Sequence, residues 1–171
     1  MNKFKKKLFS TVLCIRFPFL KHYNTKDKFF QETCWYYSVN PGWRRLALQM
    51  FEEIRSTLKR EGKPLNSFRI YDVKEKYGEL VVDCSGGYND DVTKIIEKYE
   101  YISFRTCNVC GRPAFGYTDK IPWMLPYCED CAPRNTPIHK FGTENDHWYD
   151  HYSLLDKGNE PIVFSDEKIR Q

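Results

Sequence analysis

The chain has 171 residues, a hydrophobic fraction of 41%, a charged fraction of 29% and a net charge of +4. That is enough apolar material for one modest core, with a possible tail, and too small a charge to mark the whole chain as a nucleic-acid binder. No stretch approaches the roughly 20 apolar residues needed to cross a bilayer, so no membrane partner is expected.

Residues 4–17 carry Phe4, Leu8, Val12 and Ile15 at helical spacing, with lysines on the other face, and predict a short N-terminal helix ended by Pro18. The lysines before Leu8 faintly resemble a signal peptide, but the apolar run is short, Arg16 interrupts it and no small-residue cleavage site follows. Residues 21–42 show no period. They hold the aromatic cluster Phe29, Phe30, Trp35, Tyr36 and Tyr37, then the turn chemistry of Asn40, Pro41 and Gly42.

The clearest helix is predicted over 43–61. Trp43, Leu46, Ala47, Met50, Phe51, Ile54 and Leu58 form one apolar stripe, and Arg44, Arg45, Lys59 and Arg60 fall mainly on the other side. Gly62 and Pro64 are stop signals. Residues 67–73 and 79–84 read as two strands, with Phe68, Ile70 and Asp72 alternating against Arg69, Tyr71 and Val73. Lys74 to Gly78 would join them as a hairpin. Asn89 or Asp90 caps a second helix whose buried stripe is Val92, Ile95, Ile96, Tyr99 and Ile102.

The strongest chemical signal follows. Cys107 and Cys110 form one C-x-x-C pair, and Cys128 and Cys131 form another seventeen residues later. That spacing suits one four-thiolate zinc ion. Ala114–Thr118 and Trp123–Tyr127 would form a short hairpin that brings the second pair back to the first. Two disulfides or four inert thiols are the alternatives. Seven cysteines is an odd number, and Cys14, Cys34 and Cys84 show no paired pattern, which favours the metal and a reducing, cytoplasmic setting. Four sulfurs fill the coordination sphere, so the expected zinc is single and structural. Arg105, Arg112 and Lys120 are the nearby cations that would offset its charge. After Pro133 the pattern fades, although Trp148, Tyr149, Tyr152, Leu154 and Leu155 could dock a tail, and Ile162 to Phe164 could form a strand.

The expected fold is α+β: two principal helices packed on a small antiparallel sheet, with a four-cysteine treble-clef or zinc-ribbon module. The expected divisions are a core over 1–106, a zinc module over 107–133 continuous with it, and an irregular tail over 134–171. One set of fragments has a familiar order: Cys34-Trp35, Gly42-Trp43, Val73 to Leu80, Cys110-Gly111, and Leu125 through Cys128 to Ala132. It resembles a group of small uncharacterised zinc-binding proteins common in bacteriophages and related mobile elements, over roughly residues 15–133. The group supplies no activity; the resemblance implies a phage product acting in the cytoplasm of a bacterial host.

Three functions compete. The first is a non-enzymatic binding protein that acts on a host macromolecule, such as a host or defence protein, with Lys74, Lys76, Tyr77, Arg44 and Arg45 as candidate partner-binding residues. The second is nucleic-acid binding through the basic helix and the hairpin. The third is a metal-dependent nuclease using Asp146, His147, Asp150 and His151. That pair of Asp-His steps follows both cysteine pairs, which is the wrong order for a zinc-framed His–Asn–His nuclease. No catalytic residue is therefore assigned, and a protein partner is preferred to nucleic acid.

Overall fold

A computed structural model describes residues 11–24, 29–32, 39–86, 90–118 and 124–142. The chain divides after Lys140 into a compact unit and a second unit, Phe141–Gln171, of which only residues 141 and 142 are described. Cys34, Trp35, Lys120, the Asp-His pairs at 146–151, the aromatic tail residues and the strand expected at 162–164 all lie outside the described residues. The fold class is α+β, as the sequence implies.

Residues 11–16 are helical, and a 3₁₀ turn, Pro18–Leu20, follows. The periodicity chose the wrong face here. Val12 and Ile15 are exposed, whereas Leu13, Cys14 and Phe17 are buried. The correction has a tertiary cause: the Phe17 ring packs 5.7 Å from the Phe51 ring, so the adjacent face is drawn inward. Strands β1 (Lys21–Asn24) and β2 (Phe29–Glu32) then pair antiparallel, in a stretch where the sequence shows no period.

Helix α1 (Arg44–Arg60) buries Leu46, Ala47, Met50, Phe51, Ile54 and Leu58, the whole predicted helical stripe, with Trp43 completely buried just before it. It ends as its composition requires. Gly62 has φ +66°; its amide donates to Lys59 O and the Lys63 amide to Leu58 O, a Schellman closure that satisfies two terminal carbonyls.

Strands β3 (Phe68–Lys76) and β4 (Glu79–Gly86) form an antiparallel hairpin longer than predicted. The register shifts between Ile70 and Asp72, leaving Tyr71 as a bulge residue. Simple alternation would have buried Asp72 beside Phe68 and Ile70. The extra residue moves the phase by one, so Val73 is buried and Asp72 reaches the surface side.

Helix α2 (Asp90–Phe104) packs on α1 and on β4. Its buried stripe contains the predicted Val92, Ile95, Ile96 and Tyr99, while Ile102 is only partly buried. Polar pins fix its position. Ser103 Oγ accepts from the Leu80 amide at 2.7 Å, and Glu100 Oε1 accepts from the Val82 amide at 3.0 Å. On the α1 side, Tyr99 donates to Glu53, which also holds Lys98. Aromatics dominate the interior: Phe17, Phe19, Trp43, Phe51, Phe68 and Phe104 are all essentially inaccessible, with Phe19 stacked on Phe68 at 5.1 Å.

Beyond α2, β5 (Gly116–Thr118) pairs with both β6 (Pro126–Tyr127) and β7 (Ile138–Lys140) in a three-stranded sheet. The β5–β6 hairpin is the one the sequence implies. β7 lies in the expected tail, yet it belongs to the compact unit. Gly116 makes that pairing possible, because a Cβ there would sit 2.2 Å from the His139 carbonyl oxygen. Ending the chain after Lys140 is expected to leave the module folded. Ending it after Thr136 removes β7 and is expected to lower the thermal midpoint by at least about 5 °C. Circular dichroism melts of the two truncations check this.

Candidate metal centre

Cys107, Cys110, Cys128 and Cys131 come together, with all four sulfur atoms within 4.8 Å of one another. The Cys110 and Cys128 sulfurs are 3.6 Å apart. Four thiolates around one tetrahedral ion at about 2.3 Å would lie about 3.8 Å apart, so the donor set fits the expected metal. None of the six described cysteines is in a disulfide.

Local backbone chemistry builds each half. The first pair lies on a knuckle closed by Gly111, whose amide donates to Cys107 O at 3.0 Å and whose φ is +79°. The Cys107 amide donates in turn to Arg112 O at 2.8 Å. The second pair lies on a single turn, with the Cys131 and Ala132 amides both donating to Cys128 O. Pro133 stops that turn from growing, and the chain returns as β7 rather than as a helix. Of the two module types expected, the three-stranded sheet is the ribbon-like one. Asn108 joins the halves, since its amide and its side-chain Nδ2 both donate to Pro126 O, at 3.0 and 2.6 Å.

Arg112 is the cation of the site. Its Nε donates to Cys110 Sγ and its Nη2 to Cys128 Sγ, each at 3.5 Å, while Asp130 holds the guanidinium at 2.6 Å. Burial pushes the Cys110 thiol up, but the Arg112 side chain and amide, with Cys128, outweigh it and bring it down to about 6. The Cys110 and Cys128 sulfurs push Cys131 up to about 12, and burial pushes Cys128 up. A metal binding all four sulfurs must displace any thiol protons, so its hold weakens as pH falls.

The rest of the domain meets this knuckle through glycines that sequence reasoning assigned only to turns. The Gly42 amide donates to Asn108 O at 2.9 Å, and a Cβ on Gly42 would lie 2.1 Å from Cys107 O. Gly111 faces it, with its own virtual Cβ 2.8 Å from Gly42 O. Next to Gly42, the buried Trp43 indole donates to Thr106 O at 2.8 Å. On another side, a Cβ on Gly78 would lie 2.6 Å from Met124 O. Three of the fragments singled out in the sequence, Gly42-Trp43, Cys110-Gly111 and the segment at Leu125-Pro126, therefore meet around the knuckle, and Tyr77-Gly78 meets Met124 beside the last of them. Their presence together in the sequence was the available signal; the close approaches were not.

The candidate partner-binding residues lie on two elements, the β3–β4 hairpin and α1. Lys74 is tied to Asp83 at 2.5 Å and Asp72 at 3.2 Å, and both carboxylates, Asp83 first, raise its pKa. Lys76 and Tyr77 are exposed at the hairpin tip, with the Lys76 ammonium 5.6 Å from the Tyr77 ring centre. Arg45 is exposed on α1 and Arg44 half-buried. Among the described residues no helix is long and apolar enough to cross a membrane. No protein-family model, curated protein or solved structure matches this chain.

Proposed function

We propose that this chain is a binding protein whose single zinc ion, held by Cys107, Cys110, Cys128 and Cys131, stiffens a surface that engages a macromolecule. Its origin in a phage, its bacterial cytoplasmic setting and a host or defence protein as partner belong to the same reading. The observation that carries it is the packing of the hairpin tip on the metal module. Tyr77 has φ +52°, the only positive value for a non-glycine residue among those described, and Gly78 follows at +85°. The two-residue connection between Lys76 and Glu79 has the double positive φ of a type I′ turn, in which asparagine and glycine are the usual choices. A tyrosine there costs about 1–2 kcal/mol. Glu75 receives the Gly78 amide at 2.9 Å and Met124 packs against Gly78, which fixes the turn, and the Tyr77 ring stands 56% exposed on it. An aromatic on a fixed turn loses little backbone entropy on binding. Four sulfurs leave no coordination position for a substrate, which favours a structural metal over catalysis.

Tyr77→Ala and Lys76→Glu are expected to weaken partner capture about tenfold or more, as loss of an interface anchor does. Tyr77→Asn, which suits the turn, is expected to raise stability while also losing capture. Capture from host lysate with and without nuclease separates the partners. The Lys76–Tyr77 pairing of cation and aromatic is the one feature that favours a single-stranded nucleic acid; recovery that disappears with nuclease would support that second reading. Capture that survives both tip substitutions would move the surface to Arg45, Lys59 and Arg60.

A further inference from the structure

The four sulfurs are not equally sheltered. Cys107 and Cys128 are buried and Cys131 half-buried, but Cys110 is exposed. Its sulfur is 3.6 Å from that of Cys128, and Arg112 donates to both. A disulfide between them would need the sulfurs to close by about 1.5 Å, to a bond of about 2.05 Å. Cys107 is pinned behind the knuckle by its amide bond to Arg112 O, and Gly42 packs against its carbonyl. The exposed ligand thus faces a buried one across a gap that side-chain motion closes, with a guanidinium over the pair.

We propose that Cys110 is a peroxide-sensitive modification site, and that its oxidation closes a Cys110–Cys128 disulfide that opens the metal centre and undocks the knuckle from the Gly42–Trp43 turn. The inference rests on the zinc reading. The Cys110 thiolate attacks one oxygen of a hydroperoxide; the S–O bond forms, the O–O bond breaks, and the departing oxygen leaves as water or alcohol after taking a proton. The Cys128 thiolate then attacks the resulting sulfenic sulfur. The S–S bond forms, the S–O bond breaks, and a second proton carries that oxygen away as water. The two cysteines lose two electrons and the peroxide gains them. Only Cys107 and Cys131 remain as ligands, too few for a closed four-sulfur site. Reduction by a dithiol reverses the change.

The test uses the intact protein, assayed for zinc before any oxidant is added. Hydrogen peroxide is then titrated to one equivalent while a chromogenic chelator follows released zinc, and peptide mapping locates the disulfide. The expected result is zinc release in step with a Cys110–Cys128 disulfide, a mass loss of two hydrogens, and recovery on adding dithiothreitol and zinc. Protein without zinc at the outset would sink the metal reading and this inference with it. Zinc retained under peroxide, or released while oxidation maps to a pair without Cys110, would overturn this inference and leave the metal reading standing.

Discussion

Gly42→Ala is expected to destabilise the domain by about 3 kcal/mol or more, at the upper end of what overpacking costs. The added methyl would lie 2.1 Å from Cys107 O, 2.7 Å from Gly111 N and 2.8 Å from the Asn108 carbonyl carbon. All three are backbone atoms, so no side chain can turn aside. Relief requires the α1 entry turn to lift from the knuckle, breaking the Gly42 amide bond to Asn108 O and pulling the buried Trp43 indole from Thr106 O. Each broken contact leaves a polar group poorly satisfied in a dry interior. Gly62→Ala is the control. Gly62 has a positive φ, which Gly42 does not, but nothing lies within 4 Å of its virtual Cβ, so this change is expected to cost only about 1 kcal/mol of backbone strain. Chemical denaturation of the two variants measures the difference.

Removing the metal is expected to have the larger effect. Structural zinc in small modules supplies about 10–16 kcal/mol of apparent free energy, against a net stability of about 5–15 kcal/mol for a whole domain. Cys128→Ser, or a strong chelator at neutral pH, is expected to unfold at least residues 107–140, because their sheet is small and their halves meet through Asn108, Arg112 and the sulfurs. The loss should spread to the hairpin tip, where Gly78 packs on Met124. Hydrogen exchange at the Asn108 and Gly111 amides reads the loss of the module, and exchange at the Gly78 amide reads its spread to the tip. Exchange unchanged after chelation would mean that the apolar core, not the cysteine cluster, holds the module in place.

The legibility of the chain follows from where each constraint acts. The cysteine quartet was readable because a tetrahedral thiolate site would dictate both the residue type and the three-residue step within each pair. Helix α1 was readable because seven apolar residues repeat on one face, and its glycine stop is local chemistry. The N-terminal helix was read on the wrong face because Val12 and Leu13 are adjacent and both apolar; only Phe51, far along the chain, decides between them. The bulge at Tyr71 changes the strand phase without leaving a turn residue to announce it. β7 is three residues long with no alternation, and it exists because Gly116 lets its neighbour approach. Gly42 and Gly78 looked like turn glycines and are turn glycines; their second role, admitting another backbone, depends on residues far away in sequence.

The central claim is that four thiolates of one chain hold one zinc ion. X-ray absorption at the zinc edge on the protein as purified tests it most directly, with elemental analysis of the same sample. The account predicts one zinc per chain and a first shell of four sulfurs at about 2.3 Å. A shell containing nitrogen or oxygen, or protein free of zinc that melts at the same temperature before and after zinc is added, would contradict it.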